Sequence, residues 1–267
     1  MTQELDLAIG TGFDAAEYLE VLHTEGRLIL KIAREHGLAA EIASCPGWTM
    51  RDLIAHLGFA YRWARTIVTE ERSVAPRPSE LSALEDPDPS DDVGVIDRME
   101  QAHSALVAAL RETPATLDCW TIWPSSVPSR DFWIRRQVHE TLVHRVDAQT
   151  ADYPAARGGE SLVSALAADG VDELVCGFAD RYRQHLRIET PRTLALRATD
   201  TSHRWWIALG PDEPAFGRGP APGVADAEVH ALSGELLMLL WNRRTSKGLD
   251  VRGDRSVLET WRRHAHL

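Results

Sequence analysis

Apolar positions in the first 150 residues recur near a helical period. Within 13–36, Tyr18, Leu22, Ile29 and Ile32 share one stripe, and Gly37 is a natural stop. After Pro46-Gly47-Trp48, Thr49 with Asp52 three residues later has the form of a capping box, opening a helix that runs to about Arg72. Residues 74–92 are rich in proline and acid and read as a long surface loop. Helices over 93–112 and 129–151 follow, and four helices with a long middle connection predict an antiparallel bundle.

The pattern changes after 152–160, DYPAARGGE, which marks a linker and divides the chain into domains 1–155 and 156–267. Residues 161–187 return to helical spacing. TLALRATD (193–200) and HRWWIALG (203–210) alternate as paired strands, and a further strand begins at 226. The stretch between them reads as loop. LSGELLMLLWNRR (232–244) is an apolar helix, and VLETWRRH closes the chain with another. The expected fold class is α+β: a four-helix bundle followed by a smaller mixed domain.

Composition narrows the function. A hydrophobic share of 44% and a charged share of 26% are those of a globular protein, and no apolar run is long enough to span a membrane. The first twenty residues lack the basic and apolar regions of a secretory signal, and the three cysteines form no CxxC pair, so the expected location is the cytoplasm. A net charge of −11 argues against nucleic acid as a partner. Of the 29 basic residues only Lys31 and Lys247 are lysine, a bias expected of a GC-rich genome such as an actinobacterial one.

The candidate chemistry lies in RDFWIRRQVHETLVHRVDA. Glu140 and His144 stand four apart and project from one helix face, where a carboxylate and an imidazole can share an ion. His56, among Leu53, Ile54 and Leu57 on the second helix, is the natural third ligand. A solvated Glu–His face and a satisfied core histidine remain the plain alternatives. Two histidines and a carboxylate also make the facial triad of non-haem iron oxygenases, but no jelly-roll strand pattern precedes residue 190. Arg136, one turn before Glu140, either orients it, binds a substrate carboxylate or is surface charge. Asp147 either accepts the second ring proton of His144 or is a surface acid. His139 reads as surface or as support to the site, and Trp120 and Trp123 either wall a cleft or only pack.

WTMRDLIAHL followed by FWIRRQVHETLVHRVDA resembles the mycothiol-dependent maleylpyruvate isomerase family, whose N-terminal half is a DinB-like metal-binding bundle. ALAADGVDELVCGF and LSGELLMLLWNRR with LDVRGD resemble that family's small C-terminal domain. The resemblance implies a divalent metal, most often zinc, on His56, Glu140 and His144. It also implies an arginine in the LW-x-R position, here Arg243, that takes part in activity; Arg244 adjoins it in LWNRR. The implied activity is that of an enzyme, a transferase or isomerase, in which mycothiol, a low-molecular-weight thiol, attacks a small-molecule electrophile as a metal-activated thiolate. The alternative is a non-catalytic metal-binding or regulatory protein of the same fold.

Overall fold

A computed structural model of the chain describes residues 11–88, 90–125, 127–151, 162–178 and 185–265. The linker expected at 152–160 lies outside them, as do 179–184 of the expected helix over 161–187. Two compact units are present, one spanning Phe13–Ala156 and the other holding Arg157–Leu267. No helix among the described residues is long and apolar enough to cross a membrane.

The first unit is helical: α1 Ala15–His36, α2 Met50–Thr69, the short α3 Pro78–Ser82, α4 Asp92–Glu112 and α5 Ser129–Gln149. Asp14 caps α1 by accepting from the N–H groups of Ala16 and Glu17. Gly37 ends it at φ 82°, a left-handed value that glycine takes without strain. The Thr49–Asp52 pair forms as expected, Asp52 accepting from the Thr49 N–H at 2.8 Å and from its hydroxyl at 2.7 Å.

Both α1 and α2 pack against α4 and α5. Ties from Arg34 to Glu100 and from His103 to Leu22 set α1 antiparallel to α4. His56–Glu140 and Trp63–Trp133 contacts set α2 antiparallel to α5. By contrast, Arg51–Asp92 and Tyr61–His103 contacts run α2 and α4 in the same direction. The 70–91 connection makes this possible: it is long enough to return along the bundle before α4 begins.

The second unit is a layer of helix on sheet. It begins with α6 Ser164–Asp172, which continues into a π-turn over Glu173–Gly177. A five-stranded sheet follows in the order β3-β2-β1-β4-β5. Its strands are β1 Arg192–Ala198, β2 Arg204–Leu209, β3 Ala215–Arg218, β4 Ala227–Ala231 and β5 Asp250–Gly253, with helices α7 Ser233–Leu240 and α8 Ser256–His264. Leu194, Leu196, Trp205, Ile207 and Val229 point to the buried face, where helices pack. β3 falls where the sequence pattern suggested loop, and β5 where it suggested no element; each is four residues long, too short for alternation to declare itself.

α7 stops at Leu240 rather than running to 244. Asn242 takes φ 59° and donates its side-chain amide to the Ala265 carbonyl at 2.8 Å. Asparagine tolerates this left-handed conformation at a helix end better than most residues. Arg243 and Arg244 therefore belong to the turn after the helix.

Candidate metal centre

The α2–α5 seam brings together the three side chains singled out in the sequence. His56 Nε2 lies 2.9 Å from Glu140 Oε1, and His144 Nε2 lies 3.4 Å from the same oxygen. One ligand atom from each of the three falls within 4.8 Å of the others. Bonds of about 2.0–2.2 Å to a tetrahedral zinc imply ligand atoms roughly 3.3 Å apart, so this spacing fits one ion. His144 and Glu140 are largely buried, whereas His56 is about one-third exposed, leaving one open side.

The surrounding groups make the fit electrostatic as well as geometric. Asp147, fully buried, faces His144 Nδ1 at 3.0 Å, so that ring nitrogen donates to a carboxylate and Nε2 points to the site. Arg136 pairs with Glu140 Oε2, leaving Oε1 toward the histidines. Burial alone would lower the pKa of His144. Hydrogen bonds that the ring donates to Asp147 and Glu140 outweigh it and raise the value to about 9. Burial likewise favours neutral Glu140, but Arg136 and the two histidines overcome it and hold the carboxyl well below its usual range. Two carboxylates flanking an imidazole thus hold a positive charge in a buried spot, the setting a cation needs.

Arg136 and His139 are both buried, so neither is a surface residue, and Asp147 is no surface acid. Trp120 lies tilted against Trp63 and Trp133, and Trp123 packs edge-on to Phe132, all inside the helical unit. Cys45, Cys119 and Cys176 are buried and form no disulfide among the described residues.

Two participants escaped the sequence pattern. Trp48 lies parallel to His144 with ring centroids 6.1 Å apart and edge-on to His56 at 5.2 Å, so its indole walls the pair of imidazoles. Ser44 donates to Asp147 Oδ1 at 2.6 Å and ties the α1–α2 connection to α5. The connection is itself folded, with the Ile42 N–H donating to the Trp48 carbonyl at 2.9 Å. The only available signal was position: Trp48 directly precedes the capping residue of the helix that carries His56.

Comparison with known proteins decides the family. Residues 19–149 match the mycothiol maleylpyruvate isomerase N-terminal domain, and residues 165–260 match the C-terminal domain of the same proteins. The chain belongs to the mycothiol maleylpyruvate isomerase family. It is thus a member of a family named for an enzyme. Two solved structures of the mycothiol-dependent maleylpyruvate isomerase share the fold. One, a histidine-to-alanine variant, has a TM-score of 0.66 at 15% identity; the other has 0.62 at 17%. Each alignment covers 90% of this chain and 93% of the other. No curated protein matches the sequence.

Proposed function

We propose that this protein is a metal-dependent, mycothiol-type S-transferase or isomerase acting on an electrophilic small molecule. Family membership supports the thiol, and the convergence of His56, Glu140 and His144 supports the metal. The convergence carries the reading, because three ligand atoms on one seam with one open side match a catalytic rather than a structural site. A divalent ion held there, zinc being the best match to this donor set, supplies a Lewis acid that brings a bound thiol from a pKa near ~8.5 into the neutral range.

The side chains divide the remaining work. Asp147 holds the His144 ring with Nε2 available, Arg136 holds Glu140 through its other oxygen, and Trp48 walls the site beside both imidazoles. With neutral histidines, Glu140, Asp147 and Arg136 sum to one negative charge. A dication leaves one positive charge over, which suits an anionic sulfur. The thiolate would add to a polarised double bond, whose π pair shifts onto the substrate's electron-withdrawing group. If the sulfur departs after rotation the π bond re-forms and the result is isomerisation, and if the adduct instead takes a proton from solvent the result is transfer. Arg243, in the turn after α7, is the proposed activity-determining residue of the C-terminal unit.

The buried cysteines leave the sulfur to come from solution. Product formation from a panel of electrophiles should require added thiol, favour mycothiol over glutathione, and disappear with a chelator. It should survive replacement of Cys45, Cys119 and Cys176 by serine. Turnover without any thiol would instead make the protein a metal-dependent hydrolase.

A further inference from the structure

The sheet of the second unit buries one face under helices, and its other face carries charge. Across that outer face the strand register places Arg204 opposite Arg197, Arg197 beside His230, and His230 opposite Asp250. Two arginines directly opposite on neighbouring strands repel, which costs stability unless something anionic lies between them. Among the described residues neither Arg197 nor Arg204 has an acidic partner. This is unusual in a chain where 40 acidic residues face 29 basic ones. The acids on this face are engaged elsewhere: Asp250 holds Arg252 at 2.9 Å, and Glu228 lies 2.9 Å from His230.

These residues line a hollow of about 540 Å³, with Arg197, Arg204, Arg252 and His230 on its walls and Thr199 and Ser202 at the β1–β2 turn. The His230 side chain is only 10% exposed. Its Nε2 is buried and, despite the nearby Glu228, has no aligned hydrogen bond. His230 thus stands on the wall of the hollow beside Glu228 with its donor position unfilled by an aligned acceptor.

We propose that this hollow is a binding site for a small phosphate-bearing molecule, independent of the metal centre. Two guanidiniums free of carboxylates match the double charge of a phosphate monoester. Their planar donor forks, with the hydroxyls of the turn, match its several acceptor oxygens. The volume suits a small ligand. The strongly acidic chain disfavours a nucleic-acid backbone, which needs a broad basic surface.

The test is a titration of inorganic phosphate into isotope-labelled full-length protein, followed by amide NMR at constant ionic strength set with chloride. Saturable shifts confined to 197–204 and 228–231 are expected. The double variant Arg197→Gln, Arg204→Gln should weaken binding at least about tenfold with a thermal midpoint no lower than the parent's, since both side chains are exposed and their mutual repulsion is removed. His230→Asn should weaken it as well. Succinate serves as the dicarboxylate arm and should bind less tightly. Absence of saturable shifts, equal phosphate affinity in the double variant, or tighter binding of succinate would each overturn the assignment.

Discussion

Asp147→Asn tests whether the proposed metal centre would depend on a carboxylate that stands behind one of its histidines. Asp147 is fully buried, so its charge is poorly screened by solvent. It faces His144 Nδ1 at 3.0 Å and accepts from Ser44 Oγ at 2.6 Å. Asparagine keeps the shape and one acceptor but removes the charge that favours Nδ1–H and sharpens the basicity of Nε2. If the amide presents its NH2 to the ring instead, the tautomer reverses and Nε2 carries a proton where a lone pair is needed. Loss of such a supporting carboxylate costs roughly 10–100-fold in metal affinity, or about 1.4–2.7 kcal/mol. Competition for zinc against a chromophoric chelator measures it directly. Ser44→Ala is the control, since it cuts the tie to the α1–α2 connection and leaves the charge. An Asp147→Asn affinity within twofold of the parent would refute the reasoning. An equal loss in Ser44→Ala would reduce Asp147 to an anchor for the connection.

Three further outcomes are expected. Arg243→Ala should lower kcat/KM by about 10- to 150-fold, the loss of a charge-assisted contact worth roughly 1.5–3 kcal/mol. Arg244, bound to Glu235 at 2.6 Å, should on replacement by alanine cost stability, up to about 1 kcal/mol, and little turnover; the reverse pattern in steady-state kinetics and melting would exchange their roles. His103 is buried between α1 and α4 with Nε2 donating to the Leu22 carbonyl at 3.0 Å, and burial lowers its pKa below 6.5. The unfolded chain therefore takes up the proton first, so stability present above pH 6.5 declines as pH falls through the folded value. His103→Gln keeps a donor without titrating, so the Tm difference between the two proteins should move in the variant's favour between pH 7.5 and pH 5. Parallel melting curves would remove His103 from the account.

Helix ends were the most readable part of the fold because their signals are local. Gly37 and the Thr49–Asp52 pair each act within one turn, and no distant contact overrides them. The strands β1 and β2 were readable because each is a run of six or seven residues rich in apolar and β-forming side chains, joined by a short turn. β3 and β5 were not, since four residues on an exposed edge draw their structure from pairing partners rather than from pattern. The same holds for α7: its apolar run predicted a longer helix, and the left-handed Asn242, pinned to Ala265, ended it.

The three side chains of the candidate site were readable in the sequence and their support was not, and α5 explains why. This helix is buried on almost every side, from Phe132 to Ala148, although its sequence is polar. Amphipathic spacing, which sorts core from surface on α1 and α2, therefore has nothing to report on α5. Arg136 and Asp147 could be read as solvent-facing charges for that reason, and Arg145 drew no reading at all. Burying them costs several kcal/mol each unless every charge finds a partner. The chain provides those partners from other elements: Ser44 for Asp147, and Glu25 for Arg145 at 2.7 Å. Such a network is a poor means of holding a bundle together, because apolar side chains of similar volume do so at lower cost. Its presence around Glu140 and His144 makes sense when the arrangement must hold a charge in place, so the most polar helix of the unit is also the one that carries two of the three proposed ligands.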